Sequence, residues 1–146
     1  MKKLIHLMLL SGFMLTLHTT IKAQITYSRD WMGNTVAKDK YGNTIATGSK
    51  DWQGNFVWKD EYGNVIQTES KNWQGDTEVR DKYGNIENTR SVNWQGNTVQ
   101  KDAYGNTEYT YESDWQGNTV VKDKYGNVVG KYVKDWQGNI VFIQSQ

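Results

Sequence analysis

From residue 24 onward the chain runs in short β-branched steps that a Gly interrupts every nine or twelve residues. Thr35-Val36, Thr98-Val99 and Thr119-Val120 each begin two positions after such a Gly, and pairs of this kind suit strands. No apolar stripe of helical period survives between the glycines, so a helix has nothing to bury. The interruptions obey one rule: Asp or Asn, two residues, Gly, then Asn or Asp. It occurs eleven times, led by Asp30, Asp39, Asp51, Asp60, Asn72, Asp81, Asn93, Asp102, Asp114, Asp123 and Asp135. A type I turn favours Asp or Asn first, because the side chain caps backbone N–H groups two residues on. The fourth position then turns left-handed, where Gly carries no Cβ penalty. Turn and Gly together make a three-residue β-hairpin with a bulge. Eleven of them predict twelve short strands in a meander.

The turns belong to a longer repeat. Trp31, Trp52, Trp73, Trp94, Trp115 and Trp136 are each 21 residues apart, and Tyr41, Tyr62, Tyr83, Tyr104 and Tyr125 keep the same interval. No linker or composition break divides the array, which predicts one β-repeat domain over 24–146, with five full repeats and a terminal half. Two all-β architectures fit: an antiparallel coiled meander of tandem hairpins, or a parallel β-solenoid. Charge separates them. Lys38, Lys59, Arg80, Lys101 and Lys122 share one position and Asp39, Asp60, Asp81, Asp102 and Asp123 share the next. Equivalent residues stack at about 4.8 Å in a parallel coil and at roughly twice that in an antiparallel meander, so like-charge repulsion favours the meander. The unequal segments between turns, 34–38 and 43–50, should shear the sheet and make it coil.

Composition bears on the core. Mean hydropathy is −0.81, and aliphatic residues are few. Val36, Val57, Val99, Val120 and Val141 recur at one position, but Glu78 fills it in the third repeat. The expectation is that the aromatics supply much of the buried area, at ~150–250 Å² each when fully buried. Seven Trp and nine Tyr also speak against disorder.

Residues 1–23 have the form of an export signal. Met1, Lys2 and Lys3 make a basic start, Leu4 to Leu17 is largely apolar, and Ala23 offers a small residue at the cut. The apolar run is short for a helix crossing ~30 Å of hydrocarbon, so no membrane span is expected in the mature chain. Strands of five to eight residues are likewise short for a membrane barrel. The signal takes away both histidines, His6 and His18, and the chain has no Cys. Ser-His and Cys-His catalysis and the usual zinc and copper ligands are thereby excluded from the mature chain, which is expected to be non-enzymatic and free of cofactors. Three of the 17 basic residues (Lys2, Lys3, Lys22) and none of the 16 acidic ones leave with it, so 14 stand against 16, a net of −2. Such a balance carries no footprint for nucleic acid. The expected location is secreted, extracellular or at the cell surface, with the periplasm open.

The half-repeat, as in Asp123-Lys124-Tyr125-Gly126-Asn127, resembles the YD-repeat (Rhs-type) family over Asp30 to Asn139. The resemblance implies coiled antiparallel sheets used as cell-surface scaffolds. It departs from that family in placing Tyr two residues after Asp rather than beside it. Ala103-Tyr104-Gly105-Asn106-Thr107 and the period resemble curlin repeats of biofilm fibres, although the recurring Gln residues (53, 74, 95, 116, 137) lie inside turns. A looser likeness is to aromatic, Gly-rich glycan-binding surface repeats.

Three candidate sites follow. Trp31, Trp52, Trp73, Trp94, Trp115 and Trp136 would form a row at roughly 10 Å steps along one edge of a meander. Flat indole faces suit stacking on the sugar rings of an extracellular polysaccharide, with Asn and Gln beside them for the hydroxyls. The competing reading is that each Trp covers its own turn and the sheet edge. The Asp series offers oxygens to calcium, Asp39 with Asn43 for example, but turn capping accounts for it without an ion. A catalytic carboxylate pair needs two unlike environments, which an identical array does not provide. The functional expectation is a surface binding or adhesion module, with a glycan as its expected ligand; the alternative is a self-associating, curli-like matrix fibre subunit. Trp58, Tyr109, Tyr111 and Tyr132 break the repeat and read as packing.

Overall fold

The computed structural model describes residues 24–145, so the export-signal reading of residues 1–23 lies outside it. It is all-β. The strands are β1 (Ile25–Arg29), β2 (Thr35–Lys38), β3 (Thr44–Lys50), β4 (Phe56–Lys59), β5 (Val65–Lys71), β6 (Thr77–Asp81), β7 (Ile86–Val92), β8 (Thr98–Asp102), β9 (Thr107–Ser113), β10 (Thr119–Asp123), β11 (Val128–Lys134) and β12 (Ile140–Gln144). Each pairs antiparallel with its sequence neighbours, and β1 pairs antiparallel with β12, so the meander closes into a barrel. The parallel alternative is thereby set aside. Among the described residues no helix is long and apolar enough to cross a membrane.

The eleven reversals are built alike. In the turn led by Asp39, the Gly42 N–H donates to the Asp39 carbonyl and the Asp39 N–H donates to the Asn43 carbonyl, both at 3.0 Å. The carboxylate Oδ1 accepts from the Tyr41 and Asn43 N–H groups, and Oδ2 accepts from the Asn43 amide. Where Asn72 and Asn93 lead, their Oδ1 accepts the same two backbone N–H groups. The closing Gly has φ between +84° and +89° in all eleven.

An up-and-down barrel sends alternate turns to opposite ends. The six Trp-bearing turns lie at one end. The five Tyr-bearing turns lie at the other, with the start of β1 and the end of β12. Five further bulges sit in the hairpins joined by Tyr turns. In the first, Ala37 pairs with Ala46 and Lys38 with Thr44, which leaves Ile45 extra. Ile66, Glu87, Glu108 and Val129 are its equivalents. A bulge bends its strand and increases twist, which is how the unequal segments coil the sheet shut.

Closure also completes the array. Ile25 to Arg29 stand one 21-residue interval before Ala46 to Lys50, so β1 supplies the second half of the repeat that β12 begins. The barrel is thus six hairpin repeats around a ring.

The inner wall is where the repeat fails. Each strand turns two residues inward. In the short strands these are the Thr35/Ala37, Phe56/Trp58, Thr77/Val79, Thr98/Gln100, Thr119/Val121 and Ile140/Phe142 pairs. A 12-stranded barrel is wider than the roughly 8-stranded one that side chains just fill, so bulky residues must meet across it. Trp58 is fully buried, with Phe56 at 5.4 Å and Tyr27 at 6.3 Å between ring centroids, and Tyr132 meets Phe142 at 4.9 Å. Tyr111 is buried with them and Tyr109 packs against the cluster. The four irregular aromatics are therefore packing, as the sequence indicates. Aromatics do supply much of the core, through Tyr27, Phe56, Trp58, Tyr111, Tyr132 and Phe142; the recurring ones take no part, because the turns carry them past the ends of the strands. The recurring Val position is half-buried on the outer wall (Val141 more so), which explains why Glu78 is accommodated there.

Large residues face small ones. A Cβ placed on Gly48 would stand 2.5 Å from the Phe56 ring, and one on Gly130 would collide with Phe142. Gly48→Ala and Gly130→Ala should therefore each lower stability by about 1–3 kcal/mol through overpacking. Val99→Thr on the outer wall should stay within about 0.5 kcal/mol. Chemical denaturation of the three variants checks the contrast, and equal effects would contradict the inner-wall assignment.

Candidate functional site

The six recurring Trp residues occupy the second position of their turns, where the chain has left the sheet and the side chain points away from it. Each is 90–92% exposed. The reading in which each Trp covers its own turn and the sheet edge does not hold. The open row is corrected as well, because closure bends it into a ring. Twelve strands about 4.8 Å apart and tilted ~35–45° make a rim about 22–26 Å across, with neighbouring Trp turns roughly 11–13 Å apart.

The residue after each Trp is Met32 in the first turn and Gln in the other five. Gln53, Gln116 and Gln137 accept from the turn amides of Asn55, Asn118 and Asn139 at 3.3–3.5 Å, which directs their own NH₂ groups outward. The Asp carboxylates point the other way. Oδ1 of Asp30 accepts from the Met32 and Asn34 N–H groups and Oδ2 from the Asn34 amide. These bonds hold the Asp30 carboxyl below its usual range, the Asn34 amide foremost. The oxygens that calcium would need are engaged in the turn. No group of three or more His, Cys, Asp or Glu side chains able to hold a metal gathers among the described residues.

The opposite rim carries Tyr41, Tyr62, Tyr83, Tyr104 and Tyr125, all strongly exposed. Lys40, Lys82 and Lys124 lie over the rings of the Tyr that follow them, at 4.9–5.0 Å. The two rims therefore differ: indole and amide at one, phenol and ammonium at the other.

One feature of the interior escapes sequence reasoning. On β5, β7 and β8 the inner wall is polar, with Gln67, Glu69, Asn88, Arg90 and Gln100 all buried. Arg90 Nε and the Tyr111 hydroxyl both donate to Gln100 Oε1, and the Gln100 amide donates to Glu108, the extra residue of a bulge. The Trp58 indole donates to Glu69 Oε1, while Arg90 Nη1 stands 3.9 Å from Glu69 Oε2. Burial pushes the Glu69 carboxyl up to about 8, against the pull of Arg90, the Trp58 N–H and Lys71. Burial likewise pushes the Tyr111 hydroxyl up to about 12. The Glu69 and Arg90 side chains are only 2% and 1% exposed, so the cluster is sealed from solutes and acts on the barrel rather than on a substrate. Its signal in the sequence is the polar occupancy of 67, 69, 88, 90 and 100, which becomes readable only once the inward phase is known.

No family model matches the chain, and no curated protein matches it in sequence. Among solved structures it is similar to a protein from Arabidopsis thaliana, at 15% identity and a TM-score of 0.65, over 84% of this chain and 79% of that one. That likeness concerns the fold alone. Alternansucrase in complex with isomaltononaose overlaps at 18% identity and a TM-score of 0.22, over 85% of this chain and 12% of the enzyme, too slight an overlap to bear on the fold.

The sealed carboxyl gives the fold a pH dependence. Its folded pKa is raised above the unfolded value, so its contribution is complete below about pH 4.5 and is lost as pH rises toward about 8. The turn carboxyls such as Asp39 and Asp81 are lowered and act oppositely, their contribution fading as pH falls below their usual 3.8. The melting temperature should peak near about pH 4–5 and decline toward about pH 8. Glu69→Gln keeps an acceptor for Trp58 and should flatten that decline at little cost near pH 6. A loss there of about 3–5 kcal/mol would show instead that an ionised Glu69–Arg90 pair holds the barrel.

Proposed function

We propose that this chain is a secreted, non-enzymatic β-repeat module that adheres to an extracellular polysaccharide through its Trp rim. The observation that carries the reading is the 90–92% exposure of all six recurring indoles. The bonds of the turn run through its leading Asp or Asn, its Gly, its closing Asn or Asp and the residue after the Trp; the Trp contributes to neither turn nor core. A ring of exposed apolar groups of this extent on a soluble protein marks a contact surface. Indole faces beside outward amide NH₂ groups match the apolar face and hydroxyl edge of a sugar ring. The likeness of the repeat to YD-repeat scaffolds and to aromatic surface modules supports a role at the cell surface.

Self-association into a fibre is the second reading. Six Trp residues at ~150–250 Å² each also offer enough area for a rim-to-rim contact between two copies.

Replacing all six recurring Trp with Ser should leave the melting temperature nearly unchanged, since each such surface change falls within about 0.5 kcal/mol. It should abolish the fluorescence response of the parent protein to a polysaccharide panel. A collapsed melting curve would make the indoles structural. A parent protein that ignores the whole panel yet elutes as an oligomer, with the Ser variant monomeric, would favour the fibre reading.

A further inference from the structure

We infer that the Trp rim takes neutral, stiff, extended polysaccharide chains along its edges, one chain per adjacent Trp pair, so that a single barrel gathers about three chains. The inference rests on the polysaccharide reading above and adds the chemistry of the chain, its footprint and the valency.

The footprint follows from closure. Six equivalent turns around a closed ring form a hexagon, whose edge equals its radius. The edge is roughly 11–13 Å, a span that an extended glycan covers in about two to three sugar rings. At each corner the edge turns by about 60°, which a stiff chain does not follow. Laid across the diameter instead, the chain meets two indoles about 22–26 Å apart with no aromatic between them. An edge therefore offers the closest pair of stacking faces, and a Gln follows the Trp in five of the six turns. Six corners divide into three such pairs.

Charge selects the chain. The rim carries Asp30, Asp51, Asp76, Asp114 and Asp135 against Arg29, Lys50, Lys71 and Lys134. A polyanion meets carboxylates at most turns. A polycation finds those carboxylates engaged, as at Asp51, whose oxygens accept from the Gln53 and Asn55 N–H groups and the Asn55 amide. A neutral chain meets neither obstacle.

Two triple variants test the geometry with equal numbers of indoles removed. Trp31→Ala, Trp52→Ala and Trp73→Ala together leave Trp94, Trp115 and Trp136 in a row. Trp52→Ala, Trp94→Ala and Trp136→Ala together leave no two neighbours on the ring. Cellohexaose and chitohexaose are titrated calorimetrically into the parent and both variants, with melting curves confirming the fold of each. The parent should take about three hexasaccharides per barrel, and the first variant about one at similar affinity. The second should lose on the order of tenfold or more in affinity, because two stacking contacts fall to one. Equal weakening of both variants, or one sugar per parent barrel, would overturn the edge-pair footprint while the polysaccharide reading stands. A parent protein that binds neither sugar would overturn this inference, and failure with the wider panel would overturn the polysaccharide reading too.

Discussion

Eleven times, the oxygen of an Asp or Asn side chain ties two backbone N–H groups across a reversal that closes on a left-handed Gly. The rest of the molecule depends on the phase this sets. A turn of fixed length decides which residue of the next strand points inward, and the bulge after each Tyr turn resets that phase for the longer strand. A slip of one residue would move every inward side chain to the outer wall. Identical turns at a 21-residue interval therefore keep the indoles at one rim, the phenols at the other, and the unrepeated residues inside.

That division gives the protein two sequences in one. The outside is periodic because each turn faces the same solvent and makes the same bonds. The inside cannot be periodic, because twelve identical side chains pointing at one axis would clash or leave a void. Gly48 makes room for Phe56, Gly130 for Phe142, and the long polar side chains of Glu69, Arg90 and Gln100 fill the half that aromatics leave. The polar half carries a desolvation cost that its hydrogen bonds only partly offset, since Glu69 is held well above an ordinary carboxyl. The packed lumen makes the rims rigid, so on the proposed reading the exposed indoles are ordered before any ligand arrives, which lowers the entropic cost of binding.

Much of this was legible before the structure. The eleven glycines and their Asp or Asn partners mark the reversals, and twelve short antiparallel strands follow from turn chemistry and from the Lys and Asp series. Closure was less legible. β1 pairs with β12 across nearly the whole domain, and no local signal marks such a contact, although Ile25 to Arg29 keep the 21-residue interval. That aromatics fill the core was legible, but not which ones: a recurring Trp's position in the turn, not its hydrophobicity, decides its exposure. Trp58, Tyr111 and Tyr132 were visible as departures from the repeat, which is what the inner wall consists of.

The partition between a repeated exterior and an unrepeated interior is open to one direct measurement. The seven indole N–H groups report on it individually. Six belong to the rim, and one, on Trp58, is buried and donates to Glu69. In a ¹⁵N-labelled sample transferred to D₂O, six indole signals should vanish at the rate of a free indole and one should persist, protected by the stability of the whole barrel. Protection of several indoles, or of none, would contradict the account.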